Sequence, residues 1–166
     1  PLPPFKEQRA IVGVLGVVDC AIELADRIVA QTERLKRGLM QQLLTRGIGH
    51  TETKQTPIGN IPKEWEPISL SKVFKLSSGK PRPSDISEEA SPETPYPIYG
   101  GNGVLGYSNK FLLDHQTIVI GRVGEYCGAV YKSSERSWIT DNALYATELS
   151  NDFDASFLKY LLSFMN

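Results

Sequence analysis

Cationic and amide side chains cluster in the glycine-bearing turns of the second half of the chain, and hydrogen-bonding donors presented there are the main chemistry on offer. Arg122 follows the apolar run Thr117-Ile-Val-Ile120 and lies between Gly121 and Gly124, so a turn projects a single guanidinium outward. Lys80 and Arg82 come directly after Ser77-Ser78-Gly79, Asn102 sits among Gly100, Gly101 and Gly103, and Asn142 follows Asp141. Arg and Lys bond guanine edges and Asn pairs with adenine, while Ser, Tyr, Lys and Arg reach phosphate oxygens. Arg122, Lys80, Arg82, Asn102, Ser78, Tyr107 and Asn142 therefore suit contact with a nucleic acid, and Arg122 is the strongest candidate. Each has a plainer reading. Lys80 and Arg82 can be merely solvated, a left-handed turn suffices for Asn102, and Asp141-Asn142 can cap a turn. Tyr99 and Tyr107 can be aromatics at the rim of a core, with Trp138 inside it.

Catalysis is harder to build. A metal-dependent nuclease needs an Asp followed by an acidic-x-Lys triplet, and the one such triplet, Glu52-Thr53-Lys54, has no Pro-Asp before it and falls among prolines and glycines. No glycine-rich cofactor loop, Asn/Asp-Pro-Pro-aromatic stretch, phosphate loop or nucleophile elbow occurs. Cys20 and Cys127 are distant in sequence and lack His or Cys neighbours at metal spacing, so free buried thiols are expected. His50 and His115 are expected at the surface without partners. The residues predict a non-enzyme, with no cofactor or metal of its own.

Charge does not announce a nucleic-acid binder. The net charge is −1; residues 5–47 hold seven Lys/Arg against five Asp/Glu, and residues 68–149 hold eight against nine. Any basic surface must come from spatial sorting. The opening Pro-Leu-Pro-Pro-Phe-Lys-Glu-Gln is no signal peptide and no run approaches the roughly 18 apolar residues of a membrane span, so a cytoplasmic location is expected.

The elements that must position the turns divide into two parts. From Phe5 to Arg46 there is no proline, and Ile11, Leu15, Val18, Ile22, Ala25, Ile28, Leu35, Leu39 and Leu43 recur mostly three or four apart. That pattern predicts a long helix, entered at Pro4, stopped at Gly47 and on the order of 60 Å long. A rod of that length needs another long helix to pack on, through an imperfect coiled-coil seam whose rhythm breaks at Ile28. Residues 48–67, with Pro57, Gly59, Pro62 and Pro67, read as a linker without regular structure. Beyond it, 68–166 is expected to be a compact, mostly antiparallel β domain with small helices, giving an α+β fold. Ile68–Leu76 carries mixed strand and short-helix signals, broken at Ser77-Ser-Gly-Lys80. Residues 81–97, with five prolines, read as an exposed loop. Strands are expected at 96–99, 105–107, 117–120, 128–131, 138–140 and 144–147, and a closing helix at Phe153–Met165.

Several phrases, in order, resemble those of type I restriction-modification specificity subunits. Pro1-Leu-Pro-Pro-Phe-Lys-Glu-Gln-Arg9, Lys36-Arg-Gly-Leu-Met-Gln-Gln-Leu-Leu-Thr-Arg-Gly47 and Pro57-Ile-Gly-Asn-Ile-Pro-Lys-Glu-Trp65 are similar to that family's conserved spacer. Ser77-Ser-Gly-Lys80, Tyr96-Pro-Ile-Tyr-Gly-Gly-Asn-Gly103, Thr117-Ile-Val-Ile-Gly-Arg-Val-Gly124 and Trp138-Ile-Thr-Asp-Asn142 are similar to its target-recognition domains. The resemblance implies a spacer helix (1–47), a linker (48–67) and one target-recognition domain (68–166), incomplete at its C-terminal end: about half a subunit.

It further implies double-stranded DNA as the ligand, read as one half of a split target while the helix sets the half-site spacing. The implied protein partners are the methylation and restriction subunits, which would bring S-adenosylmethionine, ATP and Mg²⁺, and a second long helix from the rest of the subunit or from another copy. Two other classes stay open on the residues alone. A coiled-coil adaptor without DNA binding explains residues 5–47 equally well, and a protein- or carbohydrate-binding module on a stalk is the weaker rival.

Overall fold

The computed structural model describes residues 1–150 and 152–166, and the chain divides into two compact units, Pro1–Thr51 and Glu52–Asn166. The first is dominated by α1, Phe5–Arg46, one helix of 42 residues. Pro4 stands at its N-cap with its carbonyl accepting from Gln8 N at 3.0 Å, and Gly47 ends it in a left-handed conformation with φ 66°. None of its residues is buried, so Ile11, Leu15, Val18, Ile22, Ile28, Leu35, Leu39 and Leu43 line an exposed apolar stripe. Cys20 is exposed on this helix and Cys127 in a turn, which corrects the expectation of buried thiols: no neighbouring side chains close over either position. No helix among the described residues is long and apolar enough to cross a membrane.

The second unit begins inside the expected linker, which is not structureless. β1 (Thr53–Thr56) and β2 (Gly59–Pro62) form an antiparallel hairpin in which Thr53 pairs with Pro62 and Thr56 with Gly59. The prolines do not forbid it because Pro57 falls in the turn and Pro62 in the last pair, where no interior ladder N–H is lost. Lys54–Glu66 (2.6 Å) and Lys63–Glu52 (2.8 Å) brace the hairpin at the surface.

A 3-10 turn at Leu70–Lys72 leads into β3 (Lys75–Ser78), so Ser77 and Ser78 complete a strand and the break falls at Gly79-Lys80. Then come β4 (Tyr96–Gly100), β5 (Gly103–Ser108), β6 (Ile118–Gly121), β7 (Val130–Lys132), β8 (Trp138–Ile139) and β9 (Ala143–Thr147). One sheet has the order β3-β9-β6-β7, all antiparallel; the other has the order β5-β4-β8, with β4 and β8 parallel.

The strands alternate toward two small cores. Ile118, Ala146, Val73, Phe74 and Leu158 make one, beneath the closing helix α2 (Ala155–Met165); Val119, Tyr99, Leu113, Ile139 and Ala143 make the other. Asp154 caps α2, its carboxylate accepting from Phe157 N at 2.8 Å.

Residues 81–95 are not the freely exposed loop their prolines suggested. Pro83 is buried, and Ser87 exchanges two backbone hydrogen bonds with Tyr107 of β5, at 2.9 and 2.8 Å. Asp85 completes the attachment: its carboxylate accepts from Ser108 Oγ at 2.9 Å and Asn109 N at 3.3 Å, with Lys110 Nζ 3.5 Å away. The bond from Ser108, above all, holds the Asp85 carboxyl below its ordinary range. A group whose folded-state pKa is depressed stabilises the fold above its unfolded value, and that contribution is lost as pH falls through the folded value. Asp85→Asn should therefore lose less melting temperature than the native chain when pH drops below about 3.9. Parallel loss in the two proteins would show that this carboxylate is not linked to folding.

Candidate nucleic-acid interface

Turns far apart in sequence meet at one end of the two sheets. β3 leaves this end at Ser78, β6 leaves it at Gly121, the hairpin of β4 and β5 turns there at Gly101-Asn102, and the Thr140–Ala143 turn precedes β9. Backbone bonds lock the turns together. Gly79 N donates to Ala143 O (3.1 Å), Lys80 N to Ile139 O (2.9 Å), Asp141 N to Lys80 O (3.1 Å) and Arg122 N to Asn142 O (3.0 Å). Arg122 Nη1 then donates to Ser78 Oγ at 3.1 Å, fixing one branch of an otherwise exposed guanidinium.

Two glycines make this convergence possible by letting backbones touch. A Cβ at Gly79 would strike the carbonyls of Ile139 and Thr140; one at Gly121 would strike Gly101 O and lie 2.7 Å from Tyr126 O. Backbone cannot yield as a flexible side chain can, so Gly121→Ala should cost about 1–3 kcal/mol. It should also displace the Gly101-Asn102 tip from Arg122. Thermal melting checks the first effect, and an unchanged melting temperature would contradict it.

Of the sequence candidates, the structure brings together Ser78, Lys80, Arg122 and Asn142, with Asn102 at the tip beside them. All five are exposed. Arg82 is exposed two residues beyond Lys80 and makes no hydrogen bond or ion pair with the group. Tyr107 lies elsewhere: it is half-buried, opposite Pro97 at the far end of the β4–β5 pair and bridged to Ser87. Tyr99 is buried, as a rim or core aromatic would be, and Trp138 is half-buried. His115 is exposed, but it has a partner after all, Asp114, at 3.0 Å; His50 also makes an interaction and is only half-exposed. Sequence reasoning missed Val123 and Tyr126, exposed apolar side chains in the same turn as Arg122.

Cations without a carboxylate partner stand at this end although the whole chain is near neutral. Lys54, Lys63, Lys75 and Lys110 each have a carboxylate within 4 Å, whereas Lys80, Arg82 and Arg122, like Lys72, Lys132, Arg136 and Lys159 elsewhere in the unit, have none among the described residues; Glu125 and Asp141 are exposed in the same turns. Cations left unpaired by the fold are available to an external anion. No group of three His, Cys, Asp or Glu residues that could hold a metal ion occurs among the described residues.

A long helix followed by a β-rich domain is also the fold of solved restriction-modification subunits. The S subunit of the type I system of M. genitalium matches with a TM-score of 0.61 at 19% identity, over 98% of this chain and 42% of that one. The HsdS subunit of Thermoanaerobacter tengcongensis matches with a TM-score of 0.52 at 19% identity, over 99% and 42%. In sequence, the model of the type I restriction modification DNA specificity domain matches residues 62–166, and the chain belongs to that family. The specificity subunit of type I restriction enzyme MjaVIII from Methanocaldococcus jannaschii is 36% identical over 81 residues, which make up 48% of this chain and 19% of that protein. The chain thus spans well under half the length of these relatives.

Proposed function

We propose that the chain is a DNA-recognition piece of a type I restriction-modification specificity subunit and that it does no chemistry itself. The observation that carries this reading is the convergence of Ser78, Lys80, Asn102, Arg122 and Asn142, with unpaired cations, at one end of the sheets. Residues 68–166 serve as the target-recognition domain, the hairpin within 48–67 as its attachment, and residues 1–47 as the spacer. The domain reads one half of a bipartite target in double-stranded DNA. In direct readout Arg122 pairs with a guanine edge, and Asn102 or Asn142 with adenine, while Lys80, Arg82 and the Ser78 hydroxyl hold phosphates.

The exposed stripe of α1 supports the rest of the assignment, since a rod of about 60 Å with no buried residue needs a helical partner. That partner is the second long helix of the subunit or of another copy. The methylation and restriction subunits dock on the assembled piece and supply S-adenosylmethionine, ATP and Mg²⁺.

Selection from a random duplex pool tests the reading. Repeated rounds of capture on the chain should enrich one short motif of a few base pairs, and the Asn102→Ala, Asn142→Ala double variant should relax it at an adenine. A pool that stays random while the chain forms stable helix-mediated dimers would instead favour the coiled-coil adaptor.

A further inference from the structure

The opposite end of the same domain carries a second built feature. There β4 begins at Tyr96, β6 is entered from Gln116, and the segment from β7 to β8 passes through Ser133–Ser137. These surround an open cleft of about 540 Å³, lined by Pro95, Tyr96, Pro97, Gln116, Ser134, Glu135 and Arg136.

Arg136 is held in place before any ligand arrives. Its guanidinium lies 6.0 Å from the Tyr96 ring centre and 5.4 Å from that of Phe111, and the two rings meet edge to face at 5.2 Å. Its Nη1 donates to Tyr96 Oη at 3.2 Å. The segments that carry these groups are tied together: Leu112 N and Leu113 N donate to Ser137 O at 2.8 and 3.0 Å, and Ser137 N returns a bond to Leu113 O at 3.1 Å. Ser133 N bonds Thr117 O at 2.8 Å, and the hydroxyls of Ser134 and Tyr99 meet at 3.3 Å. No carboxylate of the described residues lies within 4 Å of Arg136.

A guanidinium stacked on two rings has already lost its rotamer freedom, so its remaining N–H groups bind a planar carboxylate at little further entropic cost. We propose that this cleft docks a segment of a partner protein, an aspartate or glutamate side chain seating on Arg136 while apolar neighbours lie against Pro95, Tyr96 and Pro97. Charge decides against a nucleic-acid occupant. Glu135 also lines the cleft, so a polyphosphate backbone, charged at every unit, meets a fixed carboxylate beside the one guanidinium, whereas a single carboxylate in an apolar segment needs only Arg136. The chain then has two faces, with nucleic acid at the Arg122 end and protein at the Arg136 end.

The test is an NMR titration of the ¹⁵N-labelled full chain with two acetylated, amidated pentapeptide pools, identical except for a fixed central Asp or a fixed central Asn among Leu, Val, Pro and Ala. The Arg136 Nε–H, Gln116 side-chain amide and Ser134 backbone signals should shift saturably with the Asp pool. They should need about tenfold more of the Asn pool, or of the Asp pool on Arg136→Gln, for the same shift. A random-sequence DNA duplex should move the signals of Arg122 and Asn142 and leave these still. Equal response to the two peptide pools, no response to either, or movement of the cleft signals by the duplex would overturn the proposal. The pool comparison is made on the native chain, so a misfolded variant cannot decide it, and the Arg122 signals report separately on DNA binding.

Discussion

Truncating Ile118 to alanine is expected to destabilise the recognition domain by about 2–5 kcal/mol, the cost of deleting a fully enclosed branched side chain from a core that cannot collapse around the gap. Ile118 is completely buried on β6, one of the two inner strands of the β3-β9-β6-β7 sheet, and packs with Val73, Phe74, Ala146 and Leu158 beneath α2. Its neighbours are fixed by backbone pairing on both sides, Ile118 itself opposite Lys132 and the following Val119 opposite Tyr145. The void therefore persists. Domains of this size are stable by only about 5–15 kcal/mol in all, so the change removes a large share. Both tryptophans, Trp65 and Trp138, lie in the second unit, so denaturant unfolding followed by their fluorescence reports on it. The midpoint should fall with little change in slope, and Ile118→Val should fall by only about 0.5–1.5 kcal/mol. A loss under about 1 kcal/mol for the alanine would mean the core is not packed as described.

Arg122→Ala should leave that stability nearly unchanged, because the side chain is exposed and gives up one hydrogen bond to Ser78. Its effect should fall on affinity: loss of a bidentate base contact costs about 1–3 kcal/mol, or roughly 5- to 150-fold in the dissociation constant. Two further variants separate the roles of the charge and the fork. Arg122→Lys keeps the cation but cannot form two parallel bonds to a guanine edge, so it should recover binding to random duplex better than binding to the preferred motif. Ser78→Ala frees the guanidinium and should weaken binding less than Arg122→Ala. Equal loss on every duplex for Arg122→Ala, matched by full rescue with Lys, would reassign Arg122 from base to phosphate contact.

Much of this architecture is legible in the residues. The long helix runs from Phe5 to Arg46 as its periodicity and its flanking Pro4 and Gly47 indicate, because helix signals are local. Apolar runs such as Thr117–Ile120 and Leu144–Thr147 mark β6 and β9 for the same reason. What depends on pairing is hidden. Lys75 pairs with Thr147 and Ser78 with Leu144 across most of the domain's length, and only that register brings Arg122, Ser78 and Asn142 together. The hairpin at 53–62 was obscured because proline at a turn and proline at a strand end look, in sequence, like breakers. The anchored course of 81–95 rests on Asp85 and Ser87 finding Ser108 and Tyr107, a tertiary match that no local pattern announces. The same holds for Arg136, whose ring partners Tyr96 and Phe111 are far off in the chain.

The central claim, that the turns around Arg122 are a DNA-binding face, is tested most directly by fluorescence-anisotropy titration of a labelled duplex with the native chain and with Arg122→Ala, at about 50 and 200 mM salt. Binding should weaken steeply with salt, because phosphate contacts release counterions, and should weaken again with the substitution at both salt concentrations. A folded native chain that binds no duplex at low salt, or one whose binding is indifferent to Arg122, would contradict it.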